Sequence, residues 1–405
     1  MPVATPSQAP LRLEYEEACA ASDRLFRRLV PSALYDRPIP ERHRLIFYLG
    51  HLEAFDWNLI GKTTLRAAPI DASLDDLFAF GIDPPKGQLP SDRPRDWPRP
   101  PTVAAYCRLV RCALRPHWRA APATVLATAI EHRLMHLETL AYLLHQLPPH
   151  QKRFALKQPI LRPAPAERLI AIPAGVATLG RRRGDGFGWD NEFGLQRERV
   201  PAFAISRNKV TNGEYSRFVA EGAAPPGFWR RRRDGWRLRV MGGEVPLPLD
   251  WPVYVTQREA AAYARWRGKA LPTEAQFHRA AYGTPKGERR FPWGDASPRR
   301  EHGNFDRRRW DPVGVETTPA GDSAWGVAQL VGNGWEWTAT PFGPFPGFTP
   351  YSFYPGYSRN FFDGQHYVIK GGAPQTAARL LRRSFRNWFR PDYPYVHAGF
   401  RLVEN

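Results

Sequence analysis

The chain is 405 residues long, 42% hydrophobic and 13% aromatic, enough for two or three globular domains, each with its own core. No apolar run reaches membrane-spanning length, and the net charge of +19 is carried by arginines spread along the chain, not gathered in a nucleic-acid module. Neither a membrane nor a nucleic acid is therefore expected as a partner.

The three cysteines, Cys19, Cys107 and Cys112, all fall in the first third and form no Cys-x-x-Cys. That argues against a disulfide framework and fits a reducing cytoplasm. Met1 to Pro10 lacks a basic segment followed by an apolar stretch, so the expected location is cytoplasmic. The densest basic runs, Arg181–Arg183, Arg230–Arg233 and Arg307–Arg309, read as solvated loops.

In chain order, Leu11 to Leu29 is amphipathic and helical in spacing. After the breaker Pro38-Ile39-Pro40, a second helix is predicted over Glu41 to Ile60. A Pro-rich charged loop covers Gly81 to Pro101, and helices follow at Thr102–Arg115 and Ala123–Gln146. Pro122 suits the start of the last one. Four such helices over residues 11–150 predict a bundle, an architecture that collects ligands from facing helices onto one metal.

Within the last helix, His132 and His136 stand four residues apart on one face, so both rings can aim a lone pair at one point. Glu138 lies off that face and is better placed to orient a neighbour than to ligate. His51, set among Phe47, Tyr48, Leu52 and Phe55, is the candidate third ligand. Three neutral nitrogens without a carboxylate suit zinc, copper or a non-haem ferrous ion.

Residues 151–167 are polar and Pro-rich, a linker in composition. From residue 168 to 405 short strand-like runs such as Leu169–Ile172 alternate with Gly, Pro and Trp, and helices are expected only at Gln257–Arg267 and Thr273–Tyr282. This predicts an irregular α+β domain.

A dense series of words runs through this second half. It includes Phe187-Gly188-Trp189-Asp190-Asn191-Glu192, Val210-Thr211-Asn212-Gly213-Glu214-Tyr215, Gly332-Asn333-Gly334-Trp335-Glu336-Trp337, Arg386-Asn387-Trp388 and Gly399-Phe400-Arg401. Together they resemble the formylglycine-generating-enzyme (sulfatase-modifying-factor) domain, a C-type-lectin-like fold. The first half, with His51 and His132-x-x-x-His136, resembles a DinB-like four-helix bundle. In this order the two are similar to the ergothioneine-synthase family, whose relatives include ovothiol and selenoneine synthases.

The resemblance implies an Fe(II)- and O2-dependent oxidoreductase. It would join a thiol or selenol donor to the imidazole of hercynine or a related histidine derivative, with His51, His132 and His136 holding the iron. It further implies that Asn387 and Trp388 contact the acceptor. Tyr351 falls where the family places its catalytic tyrosine, a source of a proton or hydrogen atom during bond formation.

Three departures bear on the substrates. Met135 stands where mycobacterial-type members carry a glutamine, Phe389 stands where they carry an aspartate, and Arg93, Arg95 and Arg99 populate the loop from which donor-binding arginines come. Two other readings compete. One is a DinB-like zinc-dependent thiol transferase or hydrolase, and the other is a non-catalytic lectin-like binding protein. The copper–cysteine chemistry of the formylglycine-generating enzymes themselves is excluded, because no cysteine follows Cys112.

Overall fold

The computed structural model describes residues 9–79 and 89–404; Met1–Gln8 and the first part of the Gly81–Pro101 loop lie outside them. The chain divides into two compact units, Met1–Ala155 and Leu156–Asn405.

The first unit is built from helices α1 (Ala9–Phe26), α2 (Leu45–Asp56), the short α3 (Ala72–Leu77), α4 (Pro100–Leu114) and α5 (Ala123–Gln146). α5 starts at an extended Pro122 and stops at Leu147, which the following Pro148 holds extended. α4 likewise opens on Pro100 and Pro101, whose missing N–H groups cost nothing in a first turn. α1 packs on α5, and α2 on both α4 and α5.

Two features differ from expectation. α2 does not run on as α-helix to Ile60; Trp57–Thr64 continues in the wider π-helical geometry, an arrangement that accumulates at functional sites. α3 was not anticipated, although Asp71 caps it by accepting from the Leu74 amide at 3.0 Å.

The second unit centres on a four-stranded sheet. Its order is Asn387–Phe389, Tyr367–Lys370, Trp335–Pro341 and Ala398–Gly399, the last pair parallel and the others antiparallel. A three-stranded antiparallel sheet sets Leu169–Ile172 and Val403–Glu404 on either side of Phe203–Ser206, so one strand separates the first and last strands of the unit. Helices α6 (Asn212–Ala220), α7 (Gln257–Trp266) and α8 (Glu274–Tyr282) pack around them. Phe203, Ile205, Phe277, Ala280, Leu330 and Val403 form the centre of the core.

α6 was missed from sequence, yet all three helices carry the same start signal. Thr211 with Glu214, Thr256 with Glu259, and Thr273 with Gln276 are reciprocal capping boxes. The run Arg230–Arg233 is also not a plain loop. Trp229–Arg232 is a strand of an antiparallel meander with Gly235–Val240 and Gly243–Pro246, and its Trp229, Leu238 and Val245 face is buried. Alternation sends the arginines at 230 and 232 outward.

The Gly332-Asn333-Gly334 word has a steric cause. All three residues have positive φ, and a Cβ at Gly332 would meet the Asn304 backbone at 2.8 Å. The turn lets the Asn333 side chain bond both N–H and C=O of Val313.

Candidate metal centre

α2 delivers His51, and α5 delivers His132 and His136 one turn apart. Each of the three rings offers one nitrogen, and these atoms lie within 4.8 Å of one another. Two nitrogens bound to one ion at about 2.0–2.1 Å can stand at most about 4.2 Å apart. A small ring rotation covers the difference.

The tautomer of His51 follows from its surroundings. Nδ1 lies 2.8 Å from the backbone carbonyl of Phe78. A carbonyl only accepts, so Nδ1 carries the hydrogen and Nε2 presents its lone pair. Burial pushes the pKa values of His132 and His136 well below the usual imidazole range, and mutual repulsion among the three rings adds to it. Neutral, deprotonated nitrogen is the form that binds a metal. The donor set therefore fits a divalent ion.

Aromatic side chains close the site. Phe55 stacks on His132 at 3.4 Å between centroids, Phe47 stacks on His51 at 4.8 Å, and Tyr48 lies 5.7 Å from His136. These contacts leave the rings few orientations. Among the described residues, this trio is the one metal-ligating cluster of three or more His, Cys, Asp or Glu side chains.

The other expected residues, Tyr351, Asn387 and Trp388, belong to the second unit. Tyr351 is half-buried, donates its O–H to the Gly188 carbonyl, and stacks on Phe353 at 4.8 Å. Burial, with Glu192 and Asp190 nearby, raises its pKa to about 12. The phenol is therefore protonated at neutral pH. Trp388 stacks on Phe342 at 4.1 Å and sits 5.5 Å from both Tyr357 and Phe361. Asn387 precedes it and accepts the Trp388 amide on its own Oδ1 at 2.9 Å.

Arg93, Arg95 and Arg99 are exposed. Their loop is anchored by Asp92, which accepts from Arg37, from Arg44 at 2.8 Å and from the Trp97 indole at 2.7 Å.

Sequence reading missed the carbonyl that holds His51 and the buried carboxylates that share its helix. The Phe78 carbonyl left no signal, since any residue supplies one. Glu53 and Asp56 did leave one, as the two charges in an otherwise apolar helix.

Residues 157–405 match the sulfatase-modifying factor enzyme 1-like domain family. The chain is 36% identical over 340 residues to a hercynine oxygenase of Mycolicibacterium smegmatis, covering 75% of this chain and 78% of that protein.

The chain belongs to the ergothioneine-synthase family.

As a member of that family it is an oxidative enzyme. An ergothioneine biosynthesis protein 1 from Neurospora crassa aligns over 98% of this chain at 28% identity, and the match spans 58% of that longer protein. Among solved structures, PvdO from Pseudomonas aeruginosa covers 62% of this chain at 21% identity, with a TM-score of 0.46. No described helix is long and apolar enough to cross a membrane.

Proposed function

We propose that this member of the ergothioneine-synthase family is a non-haem, Fe(II)- and O2-dependent enzyme. It forms a C–S or C–Se bond between the imidazole of hercynine, or a related histidine derivative, and a thiol or selenol donor. The observation that carries the reading is the convergence of His51, His132 and His136, the first two buried and the third partly so, with the His51 Nε2 lone pair oriented by the Phe78 carbonyl.

With a thiol, the bonds balance in one turnover of O2. A ring C–H and an S–H are lost, a C–S bond and an S=O bond form, and one water leaves. The ion held by the three histidines would supply the redox capacity that lets O2 react.

The rest falls to the chain's own side chains. Phe47, Phe55 and Tyr48 wall off the histidines. Tyr351, protonated at neutral pH, is the O–H donor of the reaction. Trp388, with Phe342, Tyr357 and Phe361 around it, offers the aromatic faces and edges that attract a quaternary ammonium. Asn387, beside it, supplies amide contacts to the same acceptor.

The substitutions at two further positions define the substrate question. Met135 cannot donate a hydrogen bond, and Phe389, stacked on Tyr393 at 5.2 Å, brings no charge to the donor. The deciding experiment is aerobic incubation of iron-loaded protein with hercynine and a panel of thiols and selenols, read by mass spectrometry and O2 uptake. A coupled product formed with O2 consumption supports the proposal. Zinc content with thiol transfer and no O2 uptake would replace it with the transferase reading.

A further inference from the structure

The three histidines stand on two separate helices, so their meeting depends on the register of α2 against α5. A slip of one turn moves a helix by about 5.4 Å. That exceeds the 4.8 Å enclosing all three ligand atoms. Apolar packing discriminates poorly between registers here, because α2 is buried around nearly its whole circumference. A directional contact has to choose.

One buried ionic cluster touches all four long helices. Arg133 of α5 is fully buried and donates to both Glu53 carboxylate oxygens, at 3.0 and 2.9 Å, and to Asp56, all within α2's reach. Its guanidinium also donates to the Leu52 carbonyl at 3.0 Å and to Ser22 of α1 at 3.2 Å. Tyr15 of α1 donates to Asp56 at 2.7 Å, while Arg111 of α4 bridges Glu53 and Asp23 of α1. Arg133 follows His132, and Leu52 follows His51, so the cluster grips each helix one residue from a candidate ligand.

We propose that Arg133, together with Glu53 and Asp56, is the register pin of the metal centre: a positioning group that selects the one α2–α5 alignment in which His51 meets His132 and His136. The proposal rests on the metal reading above. A buried ion pair is weak evidence for stability, since apolar groups of equal volume often replace it without loss; its best-attested use is specifying register. That contrast gives the pin a signature that a stabilising role lacks.

The test titrates Co(II), a spectroscopically visible divalent ion, into the full-length metal-free chain. The wild type is compared with a variant carrying Arg133→Met, Glu53→Leu, Asp56→Val and Tyr15→Phe, which leaves no buried partner stranded. Helical content and urea midpoint should stay equal or rise. Co(II) affinity should fall by about 10–100-fold, the range for lost supports of ligating histidines, and the visible spectrum should broaden.

A folded variant with wild-type affinity and spectrum overturns the proposal. Should the quadruple variant not fold, Arg133→Lys decides, because it keeps the charge and loses the two-pronged fork. Weakening of about tenfold or more supports the pin, and unchanged affinity overturns it. A wild-type chain that takes up no Co(II) removes the metal reading itself, an outcome visible before any variant is made.

Discussion

Gly50→Ala offers a sharp separation between stability and function. A Cβ at this position would lie 2.5 Å from the Phe78 ring. Ordinary carbon contact needs about 3.5 Å or more, so the ring must retreat by about 1 Å. It has little room, since Phe78 is fully buried and ringed by Phe47, Trp97 and Tyr106 at centroid distances of 6.5, 6.1 and 6.1 Å.

The displacement is therefore shared with the Phe78 backbone, whose carbonyl holds His51 Nδ1 at 2.8 Å. A shift of about 0.7 Å stretches that contact beyond hydrogen-bond range and frees the ring to rotate. Overpacking costs about 1–3 kcal/mol, and replacing Gly by Ala within a helix returns about 1 kcal/mol. The net stability change is only about 0–2 kcal/mol, while metal affinity should fall by about 10–100-fold. Urea unfolding of the metal-free chain beside a metal titration reads both numbers. A variant with undiminished metal affinity would refute the role given to the Phe78 carbonyl.

Other outcomes follow from the same contacts. His132→Ala or His136→Ala should abolish iron retention and turnover, checked by metal analysis and O2 uptake; retained activity would count against the ligand assignment. Tyr351→Phe should keep iron but slow coupling by about 10²–10⁴-fold or divert it to thiol oxidation, which the product ratio by mass spectrometry reveals. Glu336→Gln should destabilise the second unit by about 3–5 kcal/mol, because it strands the buried cations Arg401 and Lys209 that Glu336 now pairs at 2.5 and 3.1 Å. Thermal melting should show that loss as about 6–20 °C.

The pH dependence of His397 has a definite sign. Burial lowers its pKa to about 3, whereas the unfolded chain titrates near 6.5. The unfolded state alone takes up the proton between these values, so stability falls as pH drops below about 6.5. Between pH 7 and 4.5 the wild type should lose about 2–3 kcal/mol more than His397→Gln in urea unfolding; equal losses would show the ring is not desolvated in the folded chain.

Local chemistry determined a good deal of this molecule. The spacing of His132 and His136, the apolar periodicity and the bounding prolines of α5 are all short-range properties, and α5 runs over the predicted Ala123–Gln146. The resemblance words of the second half likewise carried the fold family, because each encodes a local demand. The capping boxes set helix starts, and the Gly332–Gly334 turn needs left-handed backbone. Even α6 was legible in its Thr211/Glu214 box, though its nine residues were too few to show a periodic face.

Tertiary structure decided what depends on neighbours remote in sequence. Whether His51 points at the α5 pair is a question of helix register, on which the contacts of Arg133 with Glu53 and Asp56, 77 to 80 residues apart in the chain, bear. Which nitrogen of His51 carries the hydrogen rests on a backbone carbonyl 27 residues away, from a residue whose identity says nothing of it. Periodicity reports that a side chain is buried; only packing reports what it meets there, because directional contacts between elements leave no repeat in the sequence.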